Sequence, residues 1–265
     1  MFKLLAVINY IEILNGKGKI MMNMRIVETN LNLRIERGKN RMDYVLEKEI
    51  AEKQLSFGAD IYANVEYMEC RDEAYRKAFE DAGYNLFSAV DKPRHRGVLC
   101  AVKVEYDVEP VCFMEKPHML HLRLRKGDME FNLITFRLLV AGSDAQDFKS
   151  RKEQWDKVMS YVDSLEESKN VILSGDWNHG VIAEQYRRNQ ARRIFNYQMI
   201  ARDLVDRDIT LCEIEGTSFK GYMKIDHIAT GSELHVKHAE YKAVFDDSLG
   251  IGVPDHSLII ADLAA

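Results

Sequence analysis

Val171-Ile172-Leu173-Ser174-Gly175-Asp176-Trp177-Asn178 is a short apolar run that stops at a glycine and then delivers an Asp and an Asn two positions apart. So short a run, bounded by Gly, reads as a buried strand rather than a helix. Alternation along an extended chain sends Asp176 and Asn178 to the same side just past the strand's end, where α/β sheets carry their chemistry. Taken alone the stretch has a second reading, because Gly-Asp after a strand is also an ordinary way for a chain to turn.

Its company narrows the choice. Four other apolar segments each end in or carry a group of the metal-binding or acid-base kind. Arg25 to Asn32 offers Asn30, Asp60 to Glu66 offers Glu66, Lys224 to Ala229 offers Asp226, and Pro254 to Ile260 offers Asp255 and His256. In this order the segments resemble the endonuclease/exonuclease/phosphatase superfamily, the DNase I- and exonuclease III-like proteins, over roughly residues 25 to 263. The resemblance implies an α/β fold, a two-sheet β-sandwich flanked by helices in four layers, and metal-dependent phosphoester hydrolysis. It also implies that Glu66 is the principal metal ligand, with Asn30 near the same ion, Asp255 contributing from the last segment, and Asp226 paired with His256. Relatives vary between Asn and Asp at the position of Asn32.

The side-chain chemistry agrees with that expectation. If Glu66, Asp176, Asp226 and Asp255 meet at one rim, repulsion and burial push their pKa values up. A divalent cation and a partner cation remove the penalty, and Mg²⁺ or Mn²⁺ are hard ions that prefer oxygen ligands and keep waters for phosphate oxygens to replace. Asp255 and His256 are adjacent, so on a strand they point to opposite faces and His256 needs a carboxylate from elsewhere. Asp226 is the candidate. An anionic neighbour orients the imidazole and favours the cation that donates to a phosphate oxygen. Asp176 is left to activate or orient water for in-line attack, with Asn178 donating to the phosphate or to Asp176.

Two departures from the family pattern bear on function. Phe131-Asn132-Leu133-Ile134-Thr135-Phe136-Arg137 aligns with the strand on which relatives present a His or a Tyr, and here the residue is Arg137. An arginine there clamps a phosphate bidentately but is no general acid near neutral pH; the plainer alternative is a surface strand arginine. The damaged-site wedge and Tyr-rich segments of apurinic endonucleases are not recognisable, which weakens a repair assignment. His179 and Gly180 either shape the mouth of the site or form a simple turn.

The chain of 265 residues has four prolines and no Ser/Gly-rich linker, so one catalytic domain is expected over 24–265. Hydrophobic content of 46% and charged content of 30% argue against disorder. A net charge of -5 argues against holding nucleic acid by a global basic field. Two local clusters remain: Arg187, Arg188, Arg192 and Arg193, read more simply as a solvated helical face, and Arg94, His95 and Arg96. Cys70, Cys100, Cys112 and Cys212 show neither zinc-site spacing nor disulfide density, so a reducing, cytoplasmic compartment is expected, with Cys100 and Cys112 as small core residues.

Residues 1–23 read as an N-terminal extension. Leu4 to Ile8 resembles a signal core but is interrupted by Asn9, Tyr10 and Glu12, lacks a small-x-small cleavage site and is too short to span a bilayer. Met21, Met22 and Met24, just before the first segment, suggest an overextended start.

Periodicity predicts helices over Arg41 to Gln54, Arg71 to Ala82, Ala145 to Leu165 and Ala183 to Leu204. Besides the five segments, strands are expected at Asn85 to Ala89, Gly97 to Tyr106, Val111 to Leu124, Phe131 to Leu139, Thr217 to Tyr222 and His238 to Phe245. The expected function is a soluble Mg²⁺- or Mn²⁺-dependent phosphodiester hydrolase with nucleic acid as the favoured substrate, and no membrane or obligate protein partner. A phosphatase or phospholipase-like enzyme acting on sugar phosphates, inositol phosphates or phospholipid head groups is the rival among enzymes. A non-catalytic binding protein on the same scaffold is the rival outside them.

Overall fold

Two six-stranded sheets stack face to face in the computed structural model, which describes residues 23–39, 43–90, 95–166, 168–181 and 189–265. In chain order the elements are β1 (Asn23–Asn30), α1 (Lys48–Leu55), β2 (Ile61–Tyr67), α2 (Glu73–Asp81), β3 (Tyr84–Ala89), β4 (Gly97–Lys103), β5 (Asp107–Met114), β6 (His118–Lys126) and β7 (Met129–Arg137), then α3 (Ala145–Asp163), β8 (Val171–Asp176), α4 (Tyr197–Val205), β9 (Ile209–Leu211), β10 (Asp226–Gly231), β11 (His235–Lys242) and β12 (Leu258–Ala264). One sheet has the order β11-β12-β1-β2-β4-β3 and the other β5-β6-β7-β8-β10-β9. Each has one parallel pair at its centre, β1/β2 and β7/β8, and every other pairing is antiparallel.

Alternation builds the layers. Ile26, Ala63, Val98, Leu122, Leu133, Ile172, Ile228 and Ala261 point into the space between the sheets and form the central core. Residues one position away, among them Val27, Tyr62 and Leu99, face outward and receive Ile50, Tyr75 and Phe79 of α1 and α2. On the other sheet Ile134, Phe136 and Leu173 receive Phe148, Trp155, Val158 and Val162 of α3 and Ile200 and Leu204 of α4. Each such side chain contributes about 1.5–3 kcal/mol by leaving water. This is the four-layer sandwich that the sequence implies.

Several boundaries differ from the periodicity reading. Residues 40–42 lie outside those described, and α1 starts only at Lys48, because Leu46 N donates to Arg71 O and Val45 bridges Arg71 in an extended conformation. The single strand expected over Val111 to Leu124 is a hairpin of β5 and β6 that turns at Glu115 to Pro117, where the proline lacks an N–H for the ladder. Ala183 to Leu204 is not one helix. Residues 182–188 lie outside those described, and Asn189 and Asn196 each cap a new turn, the first a short 3-10 segment and the second α4. Thr217 to Tyr222 makes only bridges from Phe219 to Met223 and His256, while β9 was missed. Asp144 caps α3 by accepting from Asp147 N at 2.9 Å, as Ser143-Asp144 suggests. Cys100 is buried, but Cys112 is only half-buried on the edge strand β5. No described helix is long and apolar enough to cross a membrane.

Candidate active site

The inward faces of the central strands change from apolar to polar towards one rim. Along β1 they run Met24, Ile26, Glu28, Asn30; along β7 Phe131, Leu133, Thr135, Arg137; along β8 Ile172, Ser174, Asp176. The parallel pairs bring the C-terminal ends of β1, β2, β7 and β8 to the same rim. The antiparallel partners add their N-terminal ends there, so that Asp226 pairs with Asp176 across β10/β8 and His256 stands just before β12. Gly175 permits the approach, since a Cβ there would lie 2.0 Å from Phe136 O. Glu66 sits at the register shift in β2 between Val65 and Tyr67 and has a φ of 54°, a bulge that turns its carboxylate towards the rim. Asn32 and Asn178 also have positive φ, at 52° and 51°, so three residues of the rim sit in a backbone region that non-glycine residues seldom adopt.

Hydrogen bonds tie these groups into one network. Arg137, on average 9% exposed, donates from Nη2 to Glu66 Oε1 at 2.6 Å and from Nε to Asp176 Oδ2 at 3.3 Å. The surface reading of Arg137 is therefore wrong: it is an internal cation that joins a carboxylate of one sheet to a carboxylate of the other. Arg96 Nη1 adds a second bond to Glu66 Oε1 at 3.1 Å. Asn178 N donates to Asp176 Oδ1 at 2.9 Å, and its Nδ2 donates to Asp176 Oδ2 at 3.0 Å and to Leu138 O at 2.9 Å. Asp176 is one of the two partners expected for Asn178. Asn30 Nδ2 donates to Asp176 Oδ2 at 3.3 Å. His256 Nδ1 lies 2.7 Å from Asp226 Oδ2, while its Nε2 is 3.8 Å from Asp255 Oδ1, beyond hydrogen-bond reach.

Burial sets the electrostatics. Burial foremost, and then the neighbouring Asp226, raises Asp176 to about 6 against the opposing pull of Arg137 and His256. Burial would lower His256, but Asp226, then Asp176 and Asp255, outweigh it and raise the imidazole to about 9. Burial also raises Asp255. Glu28, two residues before Asn30 on the same strand face, was missed by the sequence reading. It is fully buried, neither carboxyl oxygen has a hydrogen-bond partner, and burial, then Asp226 and Asp176, hold its pKa well above the ordinary carboxyl value. The signal was available in the alternation of β1, once its inward face was known.

A donor set for a hard cation is present. Asp176 and Asp226 bring carboxylate oxygens, with a nitrogen of His256, to within 4.8 Å of one another, and the imidazole held cationic by Asp226 leaves the two carboxylates as the ligands of this trio. Asp226 Oδ1 is buried with no partner, and both bonds to Glu66 fall on Oε1 alone. Asn30, Glu66 and Asp255 surround this trio through Asp176, Arg137 and His256. Carboxylate oxygens in such number suit an oxygen-preferring divalent ion.

Two cavities meet at Phe219, whose ring packs on His256 with centroids 4.4 Å apart. One, of about 510 Å³, begins at Asn178 and His179; the other, of about 540 Å³, includes Asp255, His256 and Lys220. His179 thus lines a cavity, and Gly180 is pressed so close to Lys224 O that a Cβ would lie 1.4 Å from it. Of the basic clusters, Arg187, Arg188 and Arg94 lie outside the described residues, Arg193 is exposed, Arg192 lines the first cavity and Arg96 serves Glu66.

Comparison with solved structures agrees on the fold. An endonuclease/exonuclease/phosphatase family protein of Bacteroides thetaiotaomicron superposes with a TM-score of 0.60 at 16% identity, covering 92% of this chain and 98% of that one. The endonuclease domain of TRAS1, a telomere-specific non-LTR retrotransposon, gives 0.58 at 14%, covering 91% and 98%. A mannosyl-6-phosphatase of Bacteroides thetaiotaomicron gives 0.61 at 16%, covering 91% and 99%. The chain therefore has the endonuclease/exonuclease/phosphatase fold, a scaffold whose named examples include both nucleases and phosphatases. No protein-family model and no curated protein matches the sequence.

Proposed function

We propose that the protein is a divalent-metal-dependent phosphodiester hydrolase acting on nucleic acid. The observation that carries this reading is the pair of cavities that share Phe219 in their walls, one lined by His256 itself and the other separated from it by the Phe219 ring. A diester has two substituents to house, whereas a monoester has one. Glu66, Asn30 and Asp255 would hold Mg²⁺ or Mn²⁺ beside Asp176, and the chemistry a bound ion supplies is neutralisation of charge on the phosphate oxygens.

The remaining work falls to side chains of the chain itself. Asp176, with a pKa near 6 and two fixed donors from Asn178, accepts a proton as a water oxygen attacks phosphorus. The bond from phosphorus to the leaving oxygen breaks on the far side, that oxygen departs as the alcohol on taking a proton from solvent water, and Asp176 afterwards returns its own proton to solvent. His256, held cationic by Asp226, donates from Nε2 to a phosphate oxygen as charge builds there. Two donors of Arg137, Nη2 and Nε, are on Glu66 and Asp176, so it holds both carboxylates in place.

The test is a panel of supercoiled plasmid, single-stranded oligonucleotide, bis-p-nitrophenyl phosphate and p-nitrophenyl phosphate, each with Mg²⁺, Mn²⁺ or chelator. Diester cleavage that chelator stops is expected. Cleavage confined to monoesters would transfer the assignment to a phosphatase, and inertness on every substrate would leave only a binding role.

A further inference from the structure

The cavity that begins at Asn178 is more than an approach to the reaction centre. Phe219, Met223 and Ile225 line one side, and Phe148, Tyr197 and Arg151 are also on its wall. Its volume of about 510 Å³ lies within the range of small-molecule sites. The amides around it are already committed: Asn189 Nδ2 donates to Ser143 O, Asn196 Nδ2 to Arg192 O, and both side-chain oxygens cap the turns that follow. They are poorly placed to read the hydroxyls of a carbohydrate. What the cavity offers instead is aromatic surface and guanidinium groups.

Arg151 is the unusual member. It comes from the buried face of α3, is 7% exposed, and its ion pair with Asp147 and its bond to Gly142 O both use Nη2. Its Nε is buried with no partner, as is Nε2 of the neighbouring His179. A buried, unmatched N–H is unfavourable by about 1–3 kcal/mol unless a ligand satisfies it. Burial first, and then the charges of Arg151 and Arg192, push His179 down to about 3.

We propose that this cavity receives one nucleoside of the scissile diester, its planar base against the Phe219 and Tyr197 side and its second, unreacting phosphate against Arg151 and Arg192. The inference rests on the phosphodiesterase reading and narrows it to substrates with a phosphate on both sides of the bound nucleoside. Aromatic side chains give bases a stacking surface without regard to sequence, and charge-assisted bonds from arginine supply the preference for the added phosphate.

Calorimetric titration of the full chain in chelator tests it without turnover, with thymidine 3′,5′-bisphosphate and thymidine 5′-monophosphate as probes. The bisphosphate is expected to bind about tenfold tighter or more, the worth of one charge-assisted hydrogen bond. Arg192→Gln, and the double substitution Asp147→Asn with Arg151→Met, which leaves no buried charge unpaired, should each shrink that ratio. Equal binding of the two probes by the unsubstituted protein, or an undiminished ratio in both variants, overturns the proposal. Loss of diester hydrolysis in the assay panel with the ratio intact would sink the enzymatic reading and leave the nucleotide site standing.

Discussion

Glu28→Met is the substitution whose outcome the structure fixes most sharply. Glu28 is fully buried between the sheets with both carboxyl oxygens unpartnered, and methionine has a similar length and no polar atom. Removing an unsatisfied buried polar group relieves about 1–3 kcal/mol. Linkage adds to this. Because burial, then Asp226 and Asp176, raise the folded-state pKa of Glu28 above its ordinary value of 4.5, the folded protein keeps a proton that the unfolded chain releases. Stability therefore falls as pH rises above 4.5, by about 1.4 kcal/mol per unit until the folded carboxyl also ionises. The variant lacks that slope, so its advantage should widen with pH. Urea unfolding in chelator at pH 5, 6, 7 and 8, followed by fluorescence of the buried Trp155 and Trp177, measures the difference. A variant no more stable than the parent, with a difference that does not change with pH, would mean that Glu28 is paired or ionised in the folded protein.

Asp176→Asn should lower kcat on bis-p-nitrophenyl phosphate by about 10²–10⁴-fold with unchanged circular dichroism, the usual yield of a general base; retained activity would remove Asp176 from that role. Arg137→Met leaves Glu66 and Asp176 without their shared cation and should destabilise the metal-free protein by about 3–5 kcal/mol in urea titrations; an unchanged midpoint would contradict the bridging geometry. The Asp226–His256 pair raises His256 from 6.5 to about 9, so its contribution is complete below pH 6.5 and disappears as pH climbs through about 9. The stability gap between the parent and His256→Gln should narrow over that window, and a constant gap would show that the imidazole is not held as a cation.

The parts of the site that were legible in the sequence share one property: each lies at the end of an apolar run. Asp176, Asn178, Asp226 and His256 could be placed by local pattern, because a strand of fixed period leaves its terminal residue at the sheet edge whatever its neighbours are. Glu28 could not, since Ile26 and Val27 are both apolar and only stacking against the second sheet decides which face of β1 turns inward. The partners of Arg137 needed both sheets. The first cavity was also hidden, because Phe148, Arg151, Tyr197 and Phe219 reach it from separate elements with no common period. Where the helix expected over Ala183 to Leu204 failed, the cause was capping: Asn189 and Asn196 offered the backbone a better local partner than a continuing turn.

The bond from Arg137 on β7 to Glu66 on β2 has a consequence during biosynthesis. An N-terminal portion emerging from the ribosome can pair β1 with β2 and carry Glu66 and then Arg96, yet the second cation beside Glu66 arrives only with β7, and His256 arrives 190 residues after Glu66. A chain made only as far as β4 has Glu66 and Arg96 but lacks Arg137, Asp176, Asp226 and His256. The network that spans the two sheets is thereby completed only when the later strands have been made and the sheets close on each other.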